Sequence, residues 1–447
     1  VDSISVAKKL LGLIEKSAAD AGEIFLSKSE GVDVEVRDQA VERVKNTQAA
    51  GYGLRLVVDR RMAFVSSSDM RDASLETTVA KAVDLAKHST ADDANVFSGP
   101  SGEEVKVETF DESFDSISID QKVNLLKDIE TLCFAYDPII SKLEDVGYTD
   151  RKTETVIANT EGLLSRRSST YFELGASVVA EKDGEVENGW EGMQTRFYDK
   201  FDPPSKIASG ACEKAIARLG AKPVATQSVP VIFDRTAAYA VLVHFFNMVN
   251  GERIANGTSM LKDRIGDKIG SDLVTIVDDP TLPGLPGSRP FDDEGTPSRR
   301  NVILDRGVLR EFLFDVANAR KTGAESTGNA SRGGFRALPG IATTNFYLAK
   351  GDLAPEDIVK QTGLGLHVTS LAGWWTGINP TTGDFSSGAK GFWIEGGKAV
   401  HPVKNVTVAS NLITMLAGVD AVCTDLLHRF GTVGPTFRID EMKVGGV

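Results

Sequence analysis

The sequence predicts an α+β protein of two units. Helices with antiparallel strands fill 1–222, and a glycine-rich, mostly antiparallel β unit fills 223–447. Three observations carry this. In the N-terminal half, stretches with apolar residues at helical spacing alternate with paired stretches of period-two alternation. Glycine then rises from 15 in residues 1–250 to 28 in residues 251–447, and glycine lets backbones turn sharply or approach one another closely. Between the two lies Gly220-Ala221-Lys222-Pro223, a cluster of breakers that places the boundary.

The elements follow in order. Val6, Leu10, Leu11, Leu13, Ile14 and Ala18 recur at helical spacing, so Ile4–Ala21 is expected to be a helix. Asp33–Val44 alternates around Asp38-Gln39, and Gly51–Ser67 alternates around Asp59-Arg60-Arg61; each reads as two strands and a turn. Amphipathic helices are predicted near Asp72–Lys87 and Ile119–Tyr136. Strands return over Lys142–Lys182, broken by the turn residues Asn159-Thr160-Glu161-Gly162, and Pro204–Leu219 is another helix. The second half opens with a helix at Arg235–Asn250. Short strands are expected at Leu273–Val277, Asn301–Leu304, Leu309–Phe314, Thr343–Leu348, Gly365–Ser370 and Gly391–Glu395.

Composition narrows the function classes. Lys+Arg number 50 and Asp+Glu 63, a formal net charge of −13, so the chain has no overall attraction for nucleic acid or anionic lipid. The most apolar run, Tyr239–Phe246, is far shorter than the ~20 residues that span a bilayer. Lys8, Lys9, Glu15 and Lys16 interrupt the apolar positions of the N-terminal run, which therefore lacks a secretory core. Cys133, Cys212 and Cys423 are odd in number and contain no CxxC, which argues for reduced thiols and against a disulfide scaffold or a four-cysteine zinc site. The expected location is the cytoplasm.

Motifs that carry chemistry are few. His88, His244, His367, His401 and His428 form no HExxH or HxH string. Asp278-Asp279 and Asp292-Asp293-Glu294 flank a Pro/Gly-rich loop; acid–base or metal work is one reading, and ion pairing with Arg289, Arg299 and Arg300 is the better one. The run Thr327–Gly334 is glycine-rich but is neither GxxxxGK[ST] nor GxGxxG, so close backbone packing is expected rather than a phosphate cradle. Ser259, Ser326 and Ser387 lie in no GxSxG elbow. Trp374, Trp375 and Trp393 are read as core.

The run Ser288–Gly328 resembles the TldD/PmbA family, also called modulators of DNA gyrase. The match rests on Phe291-Asp-Asp-Glu-Gly295, Asn301–Leu304, Gly307-Val-Leu309, Ala319-Arg320 and Ser326-Thr-Gly328. Upstream, Gly51-Tyr-Gly-Leu-Arg55, Met62–Ser66, Ile157–Gly162, Gly257-Thr-Ser259 and Leu273–Asp279 fit as well, and Met442–Gly446 is similar to the family's ending. TldD-type chains of that family bind zinc through HExxxH and a cysteine in Gly-Thr-Cys, with the glutamate as base. PmbA/TldE-type chains lack the motif and pair with TldD. Here His244 matches the first histidine, Phe245 stands for the glutamate, Val249 for the second histidine, and Val433, in Gly431-Thr432-Val433, for the cysteine.

The resemblance therefore implies a PmbA/TldE-like subunit with no catalytic or metal-ligating residue of its own, since a catalytic zinc typically takes three protein ligands. The implied partner is a TldD-type chain holding zinc and base, in a heterodimer, with self-association as the alternative. The implied substrates are small or unstructured polypeptides. A stand-alone peptide- or protein-binding scaffold is the competing reading, and an autonomous hydrolase with an unrecognised site is a third.

Overall fold

The structure is a computed structural model that describes residues 2–100, 105–373, 377 and 379–446. Its N-terminal half holds α1 (Ser3–Glu15), β1 (Ala21–Arg37), β2 (Ala40–Val58), β3 (Arg61–Ser67), α2 (Asp72–Lys87), α3 (Ile119–Tyr136), β4 (Ile140–Asn159), β5 (Leu164–Lys182), β6 (Glu185–Thr195) and α4 (Pro204–Ile216). The six strands form one antiparallel sheet in the order β3-β2-β1-β4-β5-β6.

Period-two alternation divides this sheet into two faces with different duties. On β1, Ile24, Leu26, Val32, Val34 and Val36 point to one face, which four helices cover. There α1 and α2 pack over one end of the strands, through Val6, Leu10, Ile14, Leu75 and Val79. At the other end α3 and α4 add Val123, Leu126, Ile129, Ile207 and Ala211. Cys133 and Cys212 meet at that α3–α4 contact, both buried, and the hydrogen bond with Cys212, then burial, push the Cys133 thiol up. Glu23 and Phe25 point to the opposite face, toward the C-terminal half.

Local chemistry explains the element ends. Asp2 caps α1 by accepting from the Ser5 N–H. The helix stops at Glu15, short of the expected Ala21, because Ala21 and Gly22 already pair with Val57 and Leu56. Ser118 and Gln121 form a reciprocal capping box on α3. The β1–β2 turn puts Asp38 and Gln39 at φ 52° and 58°, and the buried Glu130 of α3 accepts both of their N–H groups at 2.8 and 2.7 Å. That bond anchors a left-handed turn with no glycine in it.

The C-terminal half begins with β7 (Gln227–Phe233), α5 (Arg235–Val249), α6 (Gly251–Ala255), β8 (Ile276–Asp278), β9 (Asn301–Asp305) and β10 (Val308–Leu309). It continues with α7 (Val316–Thr322), β11 (Ala330–Ser331), β12 (Gly340–Ile341), β13 (Phe346–Leu348), α8 (Pro355–Lys360), β14 (Leu364–Ala372), β15 (Asp384–Glu395), β16 (Lys398–Asn411), α9 (Leu412–Ala417), β17 (Val419–Val422), β18 (Thr432–Val433) and β19 (Phe437–Gly445). β16 pairs with both β15 and β19, so the series β16-β15-β14-β7-β19 closes on itself, with β17 hanging on β19. A second sheet runs β10-β9-β8-β13-β18. α5 lies between the two sheets and feeds Val241, Phe245, Met248 and Val249 into the core of this half.

The expected strand Leu309–Phe314 is a strand only at Val308–Leu309. Phe312, Leu313 and Phe314 are buried, but Leu313 bonds the end of α5 instead of a ladder: its N–H reaches the Val249 carbonyl at 3.0 Å and its carbonyl accepts from Gly251 at 2.8 Å. Trp393 is in the core as read, 4% exposed, with its indole N–H donating to Glu395. Trp374 and Trp375 lie outside the described residues.

Candidate functional site

α5 is the helix on which the resemblance sets His244, Phe245 and Val249 against a zinc motif. Asp234 caps it, accepting from Thr236 and Ala237 at 2.8 Å each, and burial pushes that carboxyl up to about 6. His244 is buried with its ring 6.2 Å from Phe385, while Phe245 and Val249 are fully buried. Val433 follows on β18, beside the same helix, and Gly434 comes so close that a Cβ there would lie 2.9 Å from Cβ of Ala238. The four positions are thus gathered around one helix, with one nitrogen-bearing ring and three hydrocarbon side chains. These residues do not fit a zinc ion: a single imidazole in an apolar shell offers neither three ligands nor a general base.

Elsewhere, no three His, Cys, Asp or Glu side chains converge to hold a metal ion among the described residues. His88 caps α2, His401 bonds the Pro402 carbonyl, and His428 stacks edge-on against Tyr347. Burial lowers His367 to about 4. The hydroxyls of Ser259, Ser326 and Ser387 donate to the carbonyls of Met248, Phe314 and Ala372.

The acidic clusters are structural, but with partners other than those expected. Asp278 accepts from Asn329 and Thr344 at 2.7 Å each. Asp292 accepts the N–H groups of Glu294, Thr296 and Ala330. Glu294 meets Arg55 at 2.8 Å and takes the Val316 N–H at the start of α7. Of the three arginines expected to pair here, Arg299 pairs with Glu311, Arg289 bonds the carbonyls of Ala330 and Gly328, and Arg300 alone approaches a cluster, 3.8 Å from Asp279. The glycine-rich run packs closely only in its first half: Gly328 lies against Pro297 and Asn329 is fully buried in a network with Thr327, Asn301 and Asp278, whereas a Cβ at Gly334 would meet nothing within 4 Å.

The joining of the halves was not foreseen from sequence: Glu294 stood in a named acidic cluster but without its partner, and Glu23 was not singled out at all. Glu23 on β1 and Arg55 on β2 are cross-strand partners, bonded at 2.9 and 2.7 Å. From the other half, Glu294 joins Arg55 and Arg332 joins Glu23. All four are nearly inaccessible to water. Burial pushes the Glu294 carboxyl up to about 7 against the opposing pull of Arg55. Around them Phe25, Ile157, Leu163, Phe291 and Phe335 form an apolar patch across the joint. Gly51 and Gly53 admit it: a Cβ at Gly51 would lie 2.3 Å from the Phe335 ring, and one at Gly53 2.5 Å from its carbonyl oxygen. The available signal was a charge set against the most apolar run of each strand, Glu23 before Ile-Phe-Leu and Arg55 between leucines.

A groove of about 500 Å³ opens where the N-terminus of α5 faces β6. Trp190, Glu191 and Gln194 of β6 form one wall; Arg235, Tyr239 and the stretch 427–434 form the other. Trp190 stacks near Phe430 at 5.9 Å, and Arg429 reaches Glu191 and Asp202. β6 ends its sheet beside β5, and its outer edge is partly taken: the Gln194 N–H donates to the Arg429 carbonyl at 2.9 Å, and the Trp190 and Asn188 carbonyls accept from Lys214 and Arg218 at 3.0 and 2.9 Å. No helix of the described chain is long and apolar enough to cross a membrane.

Comparison with known proteins gives the family and the fold. Three parts of the PmbA/TldA metallopeptidase family match in order: domain 1 over residues 22–86, the central domain over 112–219 and the C-terminal domain over 226–446. A metalloprotease PmbA homolog of Haemophilus influenzae is 28% identical, with 97% of this chain and 94% of that one covered. A metalloprotease TldD homolog of Buchnera aphidicola is 27% identical, covering 89% of this chain and 86% of that one. The crystal structure of TldE from Thermococcus kodakarensis shares the fold at a TM-score of 0.88 and 22% identity, covering 99% of this chain and all of that one (100%). With every segment of the family matched in sequence and the whole architecture matched in space, the chain belongs to the PmbA/TldD family of metallopeptidases.

Proposed function

We propose that this chain is a metal-free subunit of PmbA/TldE type in a cytoplasmic two-chain zinc peptidase. A TldD-type partner supplies the zinc and the base, and the substrates are small or unstructured polypeptides. The observation that carries the reading is the apolar, fully buried state of Phe245 and Val249, where a catalytic chain needs a glutamate and a second histidine. In this reading the halves 1–222 and 223–447 close around substrate, and the groove beside β6 holds it. An extended peptide adds to an exposed strand edge through main-chain hydrogen bonds, which suits substrates of varied sequence. The aromatic side chains of Trp190 and Tyr239 offer apolar contact there.

The test is co-purification with a TldD-type chain that has an intact HExxxH, followed by elemental analysis, light scattering and a peptide-cleavage assay. The expected result is a complex of at least two chains, zinc only in the partner, and cleavage by the complex but not by this chain alone. About one tightly held zinc per isolated chain would sink the metal-free assignment. A chain that binds peptide but leaves a TldD-type partner neither bound nor more active is instead a stand-alone scaffold.

A further inference from the structure

A second cavity, of about 200 Å³, lies at the joint of the halves, away from α5. Arg167 and Ser169 of β5 and Arg196 just beyond β6 line it from one side; Arg289 and Asp293 line it from the other. Its wall carries three guanidinium groups against one carboxylate. Asp293 is already committed: Arg167 takes one of its oxygens and the Arg332 N–H, at 2.7 Å, the other.

The remaining two cations have no such partner. Arg196 bonds only carbonyls, those of Thr170, Leu285 and Ser288 at 2.9, 3.3 and 3.3 Å. Arg289 bonds the carbonyls of Ala330 and Gly328, and its buried Nε has no hydrogen-bond partner. Among the described residues neither makes an ion pair. A guanidinium has five N–H donors, so each keeps some unused. Burial, with Arg167 and Arg289 beside it, lowers Arg196 to about 10, and burial lowers Arg289 too. Asp293, Asp292 and Asp278 all attract the Arg289 charge, Asp293 most strongly, but Asp293 is shared with Arg167, and burial pushes the other two carboxyls up, toward their neutral forms.

Like charges brought together out of water are costly unless a counter-charge joins them. We propose that this cavity is an oxyanion site that takes a phosphate or a carboxylate between Arg167, Arg196 and Arg289. Arginine forks match both planar and tetrahedral oxyanions through paired N–H donors. At ~30 Å³ per water the cavity equals roughly seven waters, enough for such a group with part of its hydration. Because the arginines come from both halves, the bound anion stabilises their joint. The proposal needs neither zinc nor a partner chain.

The test uses the full chain alone. Thermal unfolding is followed against inorganic phosphate, with chloride at equal ionic strength as control, and binding is read independently by ³¹P NMR. The expected result is a saturable rise in Tm with phosphate, weakened about tenfold or more in Arg196→Gln and in Arg289→Gln. Ser169→Asp keeps every arginine and places a carboxylate in the cavity. That variant is expected to be more stable without phosphate and to have lost the phosphate response. A free-acid tripeptide that displaces phosphate while its amide does not marks a chain-end carboxylate as the source; displacement by neither marks a free anion. Equal effects of phosphate and chloride, or an unchanged phosphate response in Ser169→Asp, would overturn the proposal.

Discussion

Phe245 and Val249 decide what this chain's central helix can do, because each is packed on all sides. Restoring the ligand set by Phe245→Glu, Val249→His and Val433→Cys would place polar groups where hydrocarbon now sits. Each buried group without a partner costs about 1–3 kcal/mol, and a metal ligand also needs a partner that orients it. The expected outcome is weak zinc binding, a lower denaturation midpoint and no useful turnover, checked by elemental analysis, urea unfolding and peptide cleavage. Glu294 gives a second residue-scale prediction. Burial pushes its carboxyl up to about 7, well above the ordinary glutamate range, so the folded state holds the proton more tightly. The stability this contributes is fully present below about pH 4.5 and is lost as pH rises through 7. Glu294→Gln mimics the protonated form and is expected to flatten the pH dependence of urea unfolding in that window. An unchanged slope would mean that Arg55 keeps Glu294 ionised throughout.

At the scale of elements, sequence reading succeeded where one rule dominated. The spans of α2 and α3 agree with Asp72–Lys87 and Ile119–Tyr136 because both helices have a clear apolar stripe and polar flanks. β6 escaped notice although Asp183-Gly184 is a strong hairpin signal. Its residues Glu185, Glu187 and Glu191 mask the alternation, and they are polar because the strand is an edge. β16 escaped for a similar reason after Gly396-Gly397. Glycine density, by contrast, announced close approach before any contact was known. Gly391 on β15 is the sharpest case: a Cβ there would lie 1.9 Å from the His367 carbonyl oxygen on β14. Backbone of a paired strand cannot step aside, so Gly391→Ala is expected to cost at least about 1–3 kcal/mol in thermal or urea unfolding.

For the whole molecule, the joint between the halves matters more than either core alone. The Glu23–Arg55–Glu294 chain, closed by Arg332, is water-excluded and unites side chains more than 200 positions apart. Removing one member of such a set leaves a buried charge uncompensated, at about 3–5 kcal/mol. Arg55→Ala is therefore expected to loosen the joint and split one urea transition into two; a single transition at unchanged midpoint would show that the apolar patch around Phe335 suffices. This joint was the least legible part of the chain. Alternation says that a strand has two faces, but which distant loop covers the second face depends on the complete fold. The comparison of His244, Phe245, Val249 and Val433 with a zinc site came only through resemblance, since an apolar helix segment by itself says core.

The closed ring of the C-terminal half has a consequence for synthesis. β7 opens that half, yet one of its two neighbours, β19, lies roughly 200 residues later in the chain. At ~5–20 residues per second, the ribosome delivers that neighbour roughly 10–40 s after β7 itself. Until then β7 and β16 both present bare edges, the state in which strands recruit strangers. The N-terminal sheet closes its pairings much earlier and stands ready as a platform. Chains interrupted before Phe437 should accordingly accumulate as aggregates, while full-length chains emerge soluble, and sedimentation of ribosome-released truncations would reveal the difference.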